Sequence, residues 1–264
     1  MGIYSRDYLR RDDGIRGKTV YWIMGVTVAV YALQGVVLGR GEIDLAGLFG
    51  VVPRQLVGKG WLWQLVTHAL LHEPYQIWHL AFNMLFLYWM GLDVAEIYGV
   101  RRFLFLYVGG AVSCALAYTA TAYAVGRTDI PAIGASGAIM AVAVVGAFLF
   151  PSRTVVFMYV IPMPLWMLVA FYVGLDLYYP LAGLRSWLDS AGHLGGALFG
   201  FVCHRFHLEA PDAGRFLAWV RTLSVSGPGS SADVDRILDK ISAQGIGSLT
   251  EAERDVLDRA AKKR

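Results

Sequence analysis

Residues 130–150 read IPAIGASGAIMAVAVVGAFLF, and this stretch decides what kind of chain this is. It carries no charge and ends against Pro151. Its length falls within the roughly 17–25 residues that carry a helix across a hydrocarbon core. Inside it, Gly134-Ala135-Ser136-Gly137 sets a hydroxyl among small residues. Two readings of that motif stand side by side. Small residues on an apolar helix let a neighbouring helix pack closely. A serine stripped of bulky neighbours also admits a peptide carbonyl, and Gly137 helps the backbone turn an N–H toward a developing oxyanion.

The rest of the chain matches this stretch. Of 264 residues, 56% are hydrophobic and 16% charged, against about a quarter charged in soluble domains. The mean hydropathy is +0.51. The pattern predicts an all-α, polytopic membrane protein. Spans are expected at about 19–39, 77–97, 103–125, 130–150, 163–180 and 189–207. Between the first two lies a long amphiphilic loop rich in Gly and Trp. Residues 152–162, β-branched and aromatic with Pro162, read as an extended interfacial connection.

The expected organisation is a cytoplasmic segment at 1–18, a membrane domain at 19–208, a linker at 209–232 and a small helical tail at 233–264. The linker signal is the Ser/Gly/Pro composition of Ser224 to Ala232. In the tail, Val234, Ile237 and Ile241 fall on one face of a first helix, and Gly245-Ile246-Gly247 breaks it. Ser248 and Glu251 have capping-box spacing for a second helix, to about Ala261. So small a hairpin buries little core, and no partner for it is legible.

Several classes are excluded. The first apolar run exceeds the 7–15-residue core of a cleavable signal and lacks a small-x-small site. Arg6 breaks the myristoylation pattern. No basic patch interleaved with aromatics points to nucleic acid. Cys114 and Cys203 sit in apolar runs as small buried hydrophobes. No Cys/His spacing resembles a zinc site, and neither a metal nor a cofactor is implied. His68 and His72 lack the acidic partner of a His-Glu-x-x-His site and read as structural. His204 and His207 read as interfacial.

Positive charge orients the spans. The N-terminal segment with Arg6, Arg10, Arg11, Arg16 and Lys18, the 98–102 turn, Arg153 and the segment from Arg205 fall on one side, expected to be cytoplasmic. Arg40, Arg54 and Lys59 in the long first loop dissent at low density. The fourth span then enters from outside, with Ser136 about six residues in, or roughly 9 Å at 1.5 Å per residue. The sixth brings His193 in from the same side, and the second brings His79 and Asn83. Four polar side chains therefore converge near one depth. Ionisable residues within spans mark sites. Gly192, Gly196 and Gly200, spaced four apart, form a ridge that lets the sixth span approach Gly134 and Gly137 of the fourth, as a Ser136–His193 hydrogen bond requires. His79 and Asn83 share a helix face. Both oxyanion donation and interhelical hydrogen bonding suit them. Asp189, four residues before His193, reads as a helix cap rather than a triad acid.

Together these motifs resemble the rhomboid intramembrane serine proteases. The resemblance covers about residues 45–207. It rests on Gly134-Ala135-Ser136-Gly137, on His193 with Gly196 and Gly200, and on His79-Leu80-Ala81-Phe82-Asn83. The Trp-bearing first loop ending in Thr67-His68-Ala69-Leu70-Leu71-His72 agrees as well. It implies a six-transmembrane-helix bundle with a Ser136–His193 dyad. It also implies an oxyanion hole made of the Ser136 N–H, Asn83 and His79, and substrates that are transmembrane segments of other membrane proteins cut within the lipid bilayer. The fifth span and the loop after it would control access. Two positions depart from the family pattern: Gln64 after Trp63, where Arg is common, and Met140, where an aromatic often stacks on the histidine. A catalytically silent relative that binds membrane clients is the competing reading. It usually lacks the serine or histidine, and both are present. A transporter is disfavoured, because the polar groups gather near one face and no inverted repeat is evident. With no organelle-type presequence, a bacterial plasma membrane is the expected location.

Overall fold

Helices begin and end in this protein where glycine, proline or a polar cap interrupts apolar sequence. The computed structural model describes residues 15–38, 43–157, 160–184, 186–209 and 231–261. Arg6, Arg10, Arg11, Arg40, Arg185 and most of the expected linker lie outside the described residues. The chain divides into two units, Met1–Ala210 and Pro211–Arg264.

Helix α1 (Ile15–Leu38) is long and apolar enough to cross a membrane. Buried Gln34 near its end grips the chain before the next long helix: its amide donates to the His72 carbonyl at 3.1 Å, and its Oε1 accepts from the His72 N–H at 3.0 Å. The first loop folds into α2 (Leu45–Phe49), α3 (Pro53–Lys59), α4 (Gln64–Thr67) and a 3₁₀ turn, His68–Leu70. Asp44 caps α2, and Pro53 opens α3 at a position where its missing N–H costs nothing.

Helix α5 (Ile77–Ala124) has 48 residues, about 72 Å if straight, more than twice a hydrocarbon core of about 30 Å. It is not straight. Gly99 adopts φ +72° and ψ 165°, which a side chain would resist, and the helix folds into two limbs there. The expected second and third spans are these limbs. Asp93, near the bend, pairs with Arg153, and the Arg102 guanidinium lies 4.1 Å from the Tyr98 ring centre.

Helix α6 (Ser136–Leu149) is buried along nearly its whole length, including Gly137 to Ile139 and Ala141 to Ala147. An apolar helix covered on all sides is a central one, and α6 packs between α5 and α8. Leu87, Val94, Phe103, Leu106, Val142 and Val145 form the fully buried centre. The connection after α6 is a hairpin of β1 (Thr154–Phe157) and β2 (Ile161–Pro164), with Val155 opposite Met163. Helix α7 (Leu165–Leu181) and helix α8 (Trp187–Arg205) follow. Cys114 and Cys203 are buried free thiols.

Three expectations need correction. The helix expected from residue 130 begins only at Ser136. Pro131 disfavours helical geometry before it. The backbone at 132–134 is bonded to the first loop instead: Ala132 pairs with Val51, and the Gly134 N–H donates to the His68 carbonyl at 2.9 Å. Asp189 does not cap α8. Ser186 does, accepting from the Leu188 N–H, and Asp189 sits in the first turn.

In the second unit, α9 (Ser231–Gln244), a 3₁₀ turn (Ile246–Ser248) and α10 (Glu251–Ala261) form the tail. Here the third correction falls: the capping box is Thr250–Glu253, two residues beyond the expected pair. Ser248 turns back to the Gly245 carbonyl. The Lys240 ammonium, with Thr250, holds the Glu253 carboxyl down to about 2.

Candidate active site

The late start of α6 shapes the site. Ser136 is the first residue of the helix, and no side chain caps the turn behind it. N–H groups of a first helical turn have no intrahelical acceptor and carry the positive end of the helix dipole. Ser136 therefore stands beside backbone donors aimed at the space above the helix.

Helix α8 brings His193 to it. The Ser136 hydroxyl lies 2.8 Å from His193 Nε2. The approach depends on glycine. A Cβ on Gly196 would stand 2.7 Å from the Gly137 carbonyl carbon, and one on Gly200 would stand 2.8 Å from the Ala141 Cα. The expected ridge is thus real at two of its three members. Gly192 instead lies against Cys114 of α5. Gly134, expected to face α8, takes φ +126° and lies under the His79 ring, 3.0 Å from where its Cβ would be. With a side chain at 134, neither this backbone nor this ring position would be tolerated.

The structure places His79 and Asn83 on the first limb of α5, both lining the cavity above Ser136. Asn83 is buried, and its Nδ2 has no hydrogen-bond partner among the described residues. A buried donor without an acceptor costs about 1–3 kcal/mol, so its retention is notable. An oxyanion arriving beside Ser136 would supply the acceptor.

Sequence reasoning passed over Asp176. It is the single charged residue of α7 and the signal was there, because a lone acid in an apolar helix marks a site. It lies on the buried stripe of α7 with Leu165, Leu168, Val169 and Pro180. Its carboxylate oxygens lie 3.1 and 3.0 Å from His193 Nδ1. A carboxylate only accepts, so Nδ1 carries a proton and donates. In the neutral imidazole Nε2 then holds the lone pair and accepts from the Ser136 hydroxyl.

The cavity holds about 470 Å³ and is also lined by Phe86, Met140, Tyr172 and Asp189. Met140 lines it at the position where the resemblance expected an aromatic. The first loop closes one side. Gln64 is fully buried there; its Oε1 accepts from the Val52 N–H at 3.1 Å, and its amide donates to the Gly47 carbonyl and to Gln55. A neutral amide thus anchors this loop without the arginine common in the family. His68 donates from Nδ1 to the Gln64 carbonyl at 2.9 Å. Burial pushes the His68 imidazole down to about 4. Burial, and then the neighbouring His79, do the same to His72. Both histidines are thus buried and neutral, in keeping with structural roles. His204 stacks on Phe148 at 4.7 Å, away from the cavity. Among the described residues, no group of three or more His, Cys, Asp or Glu side chains is placed to hold a metal.

Apolar helices packed around a half-buried serine, hydrogen-bonded to histidine and open to a cavity, form a membrane-type helical bundle. The chain belongs to the rhomboid family, whose rhomboid domain matches residues 59–209. A second match, to a family of unknown function (DUF6576), covers residues 230–263. The chain is 28% identical over 197 residues to the rhomboid protease GluP of Bacillus subtilis (strain 168), covering 74% of this chain and 36% of that protein. It is 32% identical over 198 residues to the mitochondrial RHOMBOID-like protein 12 of Arabidopsis thaliana, covering 67% and 58%. To the rhomboid protease AarA of Providencia stuartii it is 31% identical over 207 residues, covering 70% and 71%. Rhomboid proteins are membrane-embedded, and the family includes proteases.

Proposed function

We propose that this protein is an intramembrane serine endopeptidase that cleaves transmembrane segments of other membrane proteins. The observation that carries the reading is the 2.8 Å contact between the Ser136 hydroxyl and His193 Nε2 at an uncapped helix start. Ser136 attacks the scissile carbonyl while its proton passes to His193 Nε2. The carbonyl oxygen becomes an oxyanion held by the Ser136 N–H, Asn83 and His79. His193 then protonates the leaving amine as the C–N bond breaks, and water resolves the acyl-enzyme by the same steps.

The chain crosses the membrane six times: by α1, the two limbs of α5, α6, α7 and α8. The termini are cytoplasmic and the cavity opens to the opposite face of a cell membrane. The short α6 fits this placement. Its 14 residues span about 21 Å, which leaves about 9 Å of a 30 Å core. Non-helical backbone at that depth is tolerated where it lines a water-filled cavity, and Ala132 to Gly134 line this one. The nucleophile is therefore submerged and still reached by water.

The test is cleavage of a single-span substrate by the full chain in liposomes. Wild type should cleave it, and Ser136→Ala and His193→Ala should leave it intact. Cleavage by Ser136→Ala at the wild-type rate would remove the nucleophile from the account.

A further inference from the structure

We infer that Asp176 is a positioning residue for the reaction and makes the Ser136–His193 pair a triad; this rests on the protease reading above. Three observations converge on it. The carboxylate is nearly buried, with its side chain 9% exposed, at a depth where an ionised group is costly without a partner. Both of its oxygens lie within 3.1 Å of His193 Nδ1, the ring atom opposite the one that meets Ser136. And the acid, base and nucleophile come from three different helices, α7, α8 and α6, so the alignment is a product of the fold and not of local sequence.

Accepting from Nδ1–H, Asp176 selects the tautomer whose Nε2 lone pair faces the Ser136 hydroxyl, and holds the ring in that plane. As the Ser136 proton moves to Nε2 and the new C–O bond forms, the imidazole becomes a cation. The carboxylate, still ionised, stabilises that cation without taking the proton. When the C–N bond breaks, the Nε2 proton leaves with the amine and the neutral tautomer returns. Asp189 also lines the cavity but is exposed, whereas the Asp176 carboxylate is nearly buried.

The experiment compares Asp176→Asn and Asp176→Glu with wild type in the full chain, reading kcat and KM on a single-span substrate, the rate of Ser136 labelling by a fluorophosphonate, and the thermal midpoint. Asn keeps the volume and removes the charge. In soluble triads this change costs about 10⁴-fold in kcat. His193 is 22% exposed here and water partly compensates for the lost charge, so about 10²-fold is expected. Labelling should slow in parallel, with KM and the midpoint within error of wild type. Glu should recover at least tenfold of the loss. Asp176→Asn within threefold of wild type overturns the inference. So does a loss that follows a lowered midpoint, or one that Glu does not relieve. An inactive, unlabelled wild type would instead overturn the protease reading itself, which separates the two failures.

Discussion

Replacing Gly196 by alanine tests whether helix packing sets the chemistry. The added Cβ would stand 2.7 Å from the Gly137 carbonyl carbon and 3.0 Å from its Cα. The Gly137 carbonyl oxygen would lie closer still, and carbon atoms prefer about 3.5–4.0 Å, so α8 and α6 must part by more than about 1 Å. No flexible side chain can yield, because the obstacle is backbone. Gly137 adjoins Ser136, and Gly196 lies one helical turn from His193. The same displacement therefore stretches the 2.8 Å Ser136–His193 contact to about 3.8 Å or more, outside hydrogen-bond range. A misplacement of about 1 Å costs on the order of 10² in rate, and overpacking costs about 1–3 kcal/mol of stability. Fluorophosphonate labelling and thermal unfolding in detergent should show both losses together. Gly174→Ala on α7 is the control, because a Cβ there meets nothing within 4 Å. Labelling of Gly196→Ala within twofold of wild type would refute the claim that this close approach builds the site.

Other outcomes follow from the same geometry. Asn83→Ala should lower kcat by about 10² with little change in KM, the outcome expected of a donor used only in the transition state; an equal rise in KM would assign it to substrate binding. Gln64→Leu strands the Val52 N–H and the Gly47 carbonyl and should cost about 2–4 kcal/mol, read as a lower thermal midpoint and faster proteolysis within residues 45–72. His68 and His72 are held neutral when folded, to about 4, but protonate near 6.5 when unfolded. The unfolded state thus binds more protons between these values, and stability present above pH 6.5 is lost as pH falls toward 4, by up to about 3 kcal/mol per imidazole. A midpoint that does not fall over that range would contradict their burial. In the tail, Thr250→Val removes the Glu253 capping partner and should reduce helix content by circular dichroism, at a cost of about 1 kcal/mol, without affecting cleavage.

Much of this was legible because membrane helices announce themselves by unbroken apolar runs. The limbs of α5, expected at 77–97 and 103–125, meet at Gly99, and Ser136, His193, His79 and Asn83 surround one cavity. What the sequence hid depends on partners distant along the chain. Residues 130–135 are apolar enough to be helix, and only pairing with Val51 and His68 holds them open. The role of Gln64 depends on carbonyls sixteen or seventeen residues back. Asp176 stood in plain view within α7, but what it faces is set by how α7 lies against α8. Asp189 is closer to His193 in sequence, but the Asp176 carboxylate lies at the Nδ1 of that histidine.

The central claim is that Ser136 is a nucleophile activated by His193. The most direct measurement is to treat the intact protein in lipid with a fluorophosphonate and locate the adduct by mass spectrometry, in wild type and in His193→Ala. The account predicts a single adduct on Ser136 in wild type and at least 10³-fold slower labelling without His193. An adduct on another residue, or labelling of Ser136 at the same rate without His193, would contradict it.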